Sequence, residues 1–422
     1  MATTTGNGKP IKPINIGMVG IGVGGAEMLP ILENMPEFDL MAGADFNPRV
    51  REAFAARYEA KVFPTVEAMC ADPDVEAVWV STPNRFHAEH AIIAANHGKH
   101  VVVEKPMALS MAQASDIIEA AHKNGVKLLA GHTRSFTPAV RAMRKLVKDG
   151  KMGQLRAINV FAYTDWMLRP RTADELDPNQ GGGIPYRQGP HQIDSIRVIG
   201  GGMLRSVRAM TGDWFKARSI AGYYAAFMEF EDGTPATAVH NGYGYFMGGE
   251  LVPWGHANQR YTPEERVVIR KGLRDGTWDD EKEKDKIRIG GENEYSVFSR
   301  DEDREKWVPE DLGVVLVSCD SGDIRHSAYG LYIYDDDGQR ELELTPPGLL
   351  GPGERRGELV ELYEAVRDGA PIYHTGEWGM ATLEVCLAIM ESAKQRKEIM
   401  LQHQVPVHPN YDQAKILAKE FA

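Results

Sequence analysis

The first third of the chain alternates short apolar runs with mixed stretches, and glycine or proline marks the joints. INIGMVG, from Ile14, reads as a buried strand that runs into a glycine turn, with a helix after Gly25. FDLMAGAD reads as the next strand, a helix lies around REAFAARYEA, and VEAVWVST forms a third strand. A helix from about His87 to Asn96, the strand HVVVEKP, a helix from about Ser110 to Asn124 and the strand KLLAGH complete the series. Strands alternating with helices in this way predict an α/β fold, a doubly wound parallel sheet with right-handed crossovers.

After about residue 136 the texture changes. A helix is expected as far as Lys148, and QLRAINVFAY and YYAAFMEFED then alternate like strands of a more open, mostly antiparallel sheet. Residues 250–310 are rich in charge around TWDDEKEKDKIR and read as a surface insertion. Strands near VVLVSC and GLYIYDDDGQRELEL follow, and helices near Gly357–Asp368 and Met380–Lys394 close the pattern. A chain of 422 residues exceeds what one core supports. Two domains are therefore expected, at 1–135 and 136–422. In the second, GGGIPYRQGPHQID (181–194) would open a helix with Arg187, His191 and Asp194 on one face and Ile193, Ile196 and Ile199 opposite.

Composition narrows the chemistry. A net charge of −12 argues against a nucleic-acid partner, because that binding rests on a basic surface. Only Cys70, Cys319 and Cys386 occur, without a CxxC pair, so neither a disulfide scaffold nor a zinc site is expected, and a reducing, cytoplasmic setting is. The start, MATTTGNGKP, lacks the apolar stretch of a signal peptide, and no apolar run approaches the roughly 20 residues of a membrane span. His87 and His90 stand three apart on one helix, but no thiolate lies nearby, and no metal is expected. His97 and His100 are expected to cap a helix end or sit at the surface.

GIGVGG carries a sharper signal. Gly20, Gly22 and Gly25, with Ile21 and Val23 between them, have the G-x-G-x-x-G spacing directly after a strand and at the start of a helix. A Cβ there would block the tight turn and hold a pyrophosphate off the helix N-terminus. Asp45 ends the second strand 20 residues beyond Gly25, where a carboxylate can bond the ribose hydroxyls and repel a 2′-phosphate. NAD is favoured over NADP, a preference that Arg49, one turn further on, would soften.

STPNRFHAEHAIIAANHGKHVVVEKP (81–106) resembles the glucose–fructose oxidoreductase / inositol dehydrogenase / MocA family, and the resemblance extends through the GGG…H stretch to GELVELYEAVRDGAPI. It implies an NAD(P)-dependent dehydrogenase with an N-terminal Rossmann domain and a C-terminal α/β domain whose exposed sheet face makes homodimers or homotetramers. By the same resemblance, Thr82, Pro83, Asn84 and His87 line the nicotinamide side of the cofactor cleft. Glu104 and Lys105 form the EKP pair, with Lys105 at the reacting carbon. The local chemistry agrees. Pro106 favours an extended Lys105 at the carboxyl end of a parallel strand, and partial burial can lower an ammonium pKa enough for it to act as a base.

The family pattern usually places an aspartate four residues before the histidine. Here His191 is kept and Arg187 stands in the aspartate's position. A guanidinium pairs naturally with a carboxylate, so the expected substrate is an acid. Arg169 and Arg171 bracket a proline after Trp166, and would join Arg187 in a cationic pocket with an aromatic wall and Arg134 at its rim. This segment is similar to the branch of the family that oxidises 4,5-dihydroxy-4,5-dihydrophthalate, a cyclohexadiene cis-diol with two adjacent carboxylates. The alternatives are a sugar, inositol or uronate dehydrogenase of the same family and, more remotely, a non-catalytic cofactor-binding regulator. Trp254 and His256, in the charged segment, could also reach a pocket.

Overall fold

Strands β1 (Ile14–Val19), β2 (Phe38–Ala44), β3 (Lys61–Phe63), β4 (Ala77–Val80), β5 (His100–Glu104) and β6 (Leu128–Gly131) form one parallel sheet in the order β3-β2-β1-β4-β5-β6. They belong to a computed structural model that describes residues 11–254, 261–286, 288, 291, 306–344 and 353–413. Helices cover both faces, which is why β4 is buried throughout and its sequence, AVWV, is apolar without alternation. The strand order reverses between β1 and β4, the switch point at which doubly wound sheets bind dinucleotides. Local chemistry sets the joints. Ser110 accepts from Gln113 N to start the helix Met111–Asn124, and Gly125 ends it at φ 65°. The three-residue β3 has no counterpart in the expected pattern, since KVF is too short and too exposed to show a period.

The chain folds as two units, and the division is not a single cut. The first unit takes in 11–131 but also 355–380 and the described part of 282–297. Leu359, Leu362 and Tyr363, from the helix Gly353–Arg367, are buried in the same core as Ile14, Ile16, Met18 and Trp79. The expected assignment of everything from 136 onward to one domain is corrected here. The apolar face of this late helix has its partners in the first sheet, and linear texture carries no sign of that.

The second unit holds β7 (Leu155–Tyr163), β8 (Leu204–Gly212), β9 (Tyr223–Phe230), β10 (Pro235–Asn241), β11 (Val314–Cys319), β12 (Gly322–His326), β13 (Gly330–Asp335), β14 (Gly338–Glu343) and β15 (Ile399–Met400). Their order is β14-β13-β12-β11-β7-β10-β9-β8-β15, antiparallel except for the β7–β10 pair. Alternation along β7, β10 and β11 buries every second residue, so one face is core and the other stays open. Met210 and Phe227 are exposed on the open face.

The GGG segment differs from the single amphipathic helix expected. Ile184–Arg187 forms one short helix, and a second, Gly189–Gly200, starts after Gln188. Pro190 has no N–H to donate to Tyr186 O, so the ladder restarts. Every residue from 189 to 199 is buried, because the helix packs against β7, β10, the helix Pro138–Asp149 and the turn Thr133–Phe136. The polar face is therefore inside rather than in solvent. Arg197 is satisfied there by Thr382 Oγ1 at 2.7 Å and Gln404 Oε1 at 3.0 Å.

Described parts of the 250–310 segment are not a bare surface excursion. Arg266 and Ile269 of the helix Pro263–Asp275 are buried, and Trp254 Nε1 donates to Trp307 O at 2.6 Å. His256 lies outside the described residues. His97 caps the end of its helix, with Nδ1 2.8 Å from Ile93 O, whereas the half-buried His100 opens β5 and its Nδ1 accepts from Lys127 N at 3.0 Å.

Two buried histidines make stability depend on pH. Burial, with Arg169 adding and Asp311 opposing, lowers the His240 pKa to about 4. Burial and then Arg325 lower that of His326 to about 3. Such groups bind fewer protons folded than unfolded, so the stability they contribute is present above about pH 6.5 and lost as the pH falls toward the folded values. Urea unfolding at a series of pH values is expected to show the midpoint falling between about pH 6.5 and 5, above the carboxylate range. A flat midpoint across that window would contradict neutral buried rings.

Candidate active site

In the first unit, the turn after β1 shows why its glycines are needed. Gly20 has φ +83°, and a Cβ on it would lie 2.7 Å from Thr82 N. A Cβ on Gly25 would come within 2.4 Å of Gly20 O. Gly22, at the N-cap of the short helix Val23–Ala26, has nothing within 4 Å of its Cβ position. Two glycines are thus demanded by packing, and the third borders open space beside free helix N–H groups, a cradle that fits a pyrophosphate. Ile21 is buried, and its N–H donates to Asp45 Oδ2 at 3.0 Å. Asn47 N donates to Asp45 Oδ1 at 2.8 Å, so the carboxylate is fixed beside the glycine turn and retains lone pairs for ribose hydroxyls. Arg49 is exposed and pairs with Asp285 at 3.7 Å. Val23 lies in the first helical turn.

The segments after β4 and β5 are tied together by His87. Its Nδ1 lies 2.8 Å from Pro106 O and its Nε2 2.7 Å from Thr82 O, and the ring is buried. His90 Nδ1 lies 3.1 Å from Thr82 Oγ1. Both rings of the His-x-x-His pair thus serve the Thr82 turn. Pro83 and the buried Asn84 begin the short 3-10 turn that precedes the His87 helix. Lys105 is half-buried at the carboxyl end of β5, and the Lys105–Pro106 peptide is cis. Glu104 Oε1 accepts from Arg355 Nη1 at 3.0 Å.

The second unit holds His191 and the four candidate substrate arginines, and these arginines are already matched with acids. Arg169 Nε donates to Asp165 Oδ1 at 2.8 Å, and its Nη2 lies 3.4 Å from Asp311 Oδ1. Arg134 Nη2 pairs with Glu310 Oε2 at 3.2 Å. Arg171 Nη1 donates to Glu175 Oε1 at 3.0 Å, and Arg187 meets the same oxygen at 3.7 Å, beyond hydrogen-bond length. The arginines expected to form a cationic pocket thus stand in a network of alternating charges. Buried guanidiniums need such partners to offset lost hydration.

Trp166 also differs from its expected part as a wall. It is buried, with the Arg171 guanidinium 3.8 Å from its ring centroid and two guanidinium nitrogens donating to its carbonyl. Burial lowers the Arg171 pKa to about 10 against the pull of Glu175.

Sequence patterns did not reveal the acids or the support beneath this network. Arg218 is buried and donates from Nη1 to Met167 O and Arg169 O, both at 2.7 Å, fixing the loop that carries Arg169 and Arg171. Asp280 Oδ1 accepts from Arg218 Nη2, from Arg171 N at 3.2 Å and from Trp278 Nε1 at 3.1 Å. Trp278 and Asp280, from the charged segment, also line a cavity of about 640 Å³ with Arg171, Ala173 and Leu176.

Asp311 is the most consequential of the missed acids. Gln192 Nε2 donates to Leu312 O and Val239 O, each at 3.2 Å, tying the neighbours of His191, Asp311 and His240 together. Burial works against ionising Asp311. Arg169, then Arg134, His191 and His240, outweigh it and hold the carboxyl well below the usual carboxylate range. Asp311 lies 120 residues from His191, and nothing in PEDLGVV distinguishes it from a loop acid.

Comparison with known proteins adds independent findings. Residues 14–132 match an oxidoreductase family profile described as an NAD-binding Rossmann fold, and residues 140–245 match a GFO/IDH/MocA C-terminal domain. The chain is 31% identical over 386 residues, 90% of its length and 95% of the relative, to a 1-carboxy-3-chloro-3,4-dihydroxycyclohexa-1,5-diene dehydrogenase of Comamonas testosteroni. It is 25% identical over 410 residues, 96% of its length and 100% of the relative, to an NADP(+)-linked scyllo-inositol 2-dehydrogenase of Bacillus subtilis. A crystal structure of a proposed dehydrogenase from Bordetella bronchiseptica RB50 superposes with a TM-score of 0.82 at 36% identity, covering 92% of this chain and 100% of that one. Among the described residues no helix is long and apolar enough to cross a membrane.

Proposed function

The chain belongs to the GFO/IDH/MocA family of NAD-binding oxidoreductases, and from that premise we propose that it oxidises a carboxylated cyclohexadiene cis-diol, with 4,5-dihydroxy-4,5-dihydrophthalate as the substrate and 4,5-dihydroxyphthalate as the product. The observation that carries this reading is Arg187, four residues before His191 and largely buried, where the family pattern has an aspartate. The similarity to a dehydrogenase of a carboxylated cyclohexadiene diol supports it. Arg187 pairs with Glu175 Oε1 at 3.7 Å, and its planar guanidinium has the donor geometry that a substrate carboxylate takes. Arg169 and Arg171, held by short bonds to Asp165 and Glu175, shape the surroundings instead.

NAD, held by Gly20, Gly22, Gly25 and Asp45, would supply the hydride acceptor for the carbinol carbon. Asp45 favours the ribose diol of NAD over a 2′-phosphate. The Lys105 amine takes the hydroxyl proton as the carbinol becomes a ketone, a role that requires it to be uncharged. His191 assists proton handling, and it is one of the groups whose charge holds Asp311 ionised. The hydroxyenone then tautomerises to the catechol, and aromatisation makes the overall oxidation one-way. For self-association we propose the open face of the second sheet, where Met210 and Phe227 are exposed and Trp214 stacks on Tyr223.

The purified protein should be assayed for NADH formation on the phthalate diol, a monocarboxylated diol, scyllo-inositol and a uronate, with NAD and NADP in parallel. The phthalate diol with NAD is expected to exceed inositol and the uronate by about a hundredfold or more in kcat/KM, the discrimination available when a buried charge loses its partner. Preference for the monocarboxylated diol would keep the class and discard the second carboxylate. Preference for inositol or the uronate would overturn the reading.

A further inference from the structure

We propose that Arg355 is a positioning residue for Lys105, a single guanidinium that bridges the end of the lysine strand and the helical segment after the glycine turn. The inference rests on Lys105 as the base. Arg355 Nη1 donates to Glu104 Oε1 at 3.0 Å, and Nη2 donates to Glu27 Oε2 at 2.5 Å. Glu104 is the last residue of β5 and directly precedes Lys105. Glu27 is the C-cap of the helix Val23–Ala26, whose N-cap is Gly22. The arginine thus bonds to side chains carried by both segments on which the cofactor reading depends, from a position 251 residues beyond Glu104.

Burial and charge make this bridge more than a surface pair. The side chains of Arg355, Glu27 and Glu104 are 19%, 25% and 13% exposed. Burial alone would lower the guanidinium pKa, but Glu27, Glu104 and then Glu358 outweigh it and hold the cation above its ordinary value. Without it, Glu27 and Glu104 would remain partly desolvated with like charge and no shared counter-ion. Glu104 could then relieve the repulsion by taking up a proton, by changing rotamer or by shifting the end of β5, and the last of these carries Lys105 with it. Lysine cannot replace arginine fully, because a point charge does not span two carboxylates as a planar fork does. Leu359, Leu362 and Tyr363 anchor the same helix independently in the core, so the fold does not hang on the ion pair.

The test compares Arg355→Met, Arg355→Lys, Glu104→Gln and Glu27→Gln in the full chain. The first readout needs no substrate: trace acetylation of lysines across a pH series, with Lys105 reactivity measured by peptide mass spectrometry relative to other lysines. Lys105 reactivity is expected to change by about threefold or more in Arg355→Met and Glu104→Gln. In turnover, kcat is expected to fall about 10- to 100-fold with the substrate KM nearly kept, as a small misplacement of a reacting group would produce. Arg355→Lys should recover part of both, and Glu27→Gln should act mainly on NAD affinity, measured by fluorescence. Unchanged Lys105 reactivity and kcat, with only a lower Tm, would overturn the proposal. If Arg355→Met does not fold, Glu104→Gln decides in the same way, since it removes the bridge from the other side. If no diol is oxidised, the acetylation rates still decide, separating failure here from failure of the proposed reaction.

Discussion

Lys105→Met is expected to lower kcat for NAD-dependent oxidation by about three orders of magnitude, the range of a lost general base. Methionine keeps much of the side-chain length and removes the amine. Lys105 is half-buried at the carboxyl end of β5, and His87 fixes the flanking turns through Pro106 O and Thr82 O. Those bonds do not involve the amine, so the turn should survive the change. NAD affinity, followed by fluorescence, is expected to stay within a few-fold of wild type, because the proposed cofactor cradle is made by Gly20, Gly22, Gly25 and Asp45 and does not include the amine. A variant that binds NAD and retains more than about a tenth of wild-type kcat would remove Lys105 from its role.

Arg187→Asp should have the next largest effect. It restores the residue type of the family pattern and places a carboxylate near Glu175, which Arg187 meets at 3.7 Å. A substrate carboxylate would then face two acids rather than a guanidinium. Losing one partner of a largely buried charge pair costs about 2–5 kcal/mol, so kcat/KM on the carboxylated diol should fall roughly 30-fold to several thousandfold. NAD affinity should not change. Arg187→Met separates loss of attraction from added repulsion, and should lie between wild type and Arg187→Asp. Unchanged kinetic constants on the diacid in both variants would sink the role of Arg187.

The parallel sheet, the glycine turn, Asp45 and the Lys105 turn were all legible in linear order, because each depends on residues close in sequence. A buried parallel strand announces itself by an unbroken apolar run, and the G-x-G-x-x-G turn by spacing alone. The open sheet of the second unit was only partly visible. β8, β10 and β12 carry polar residues on the exposed face and escaped notice, and GLYIYDDDGQRELEL is two strands joined at a turn before Gly338. GGGIPYRQGPHQID has helical spacing, but spacing cannot tell a solvated polar face from one buried among helices and strands.

The sequence by itself determined the fold class, the family resemblance, the cofactor turn and which residue types stand at the proposed reacting positions. Tertiary structure alone decided what each charge faces. Arg169 meets Asp165 and Asp311, Arg171 and Arg187 share Glu175, Asp280 secures Arg218, and Arg355 returns to Glu104. The reason is physical. Hydrogen-bonded turns and strand periods are set over a few residues, whereas a buried charge is stabilised by whichever opposite charge the folded chain brings near it, at any separation along the sequence.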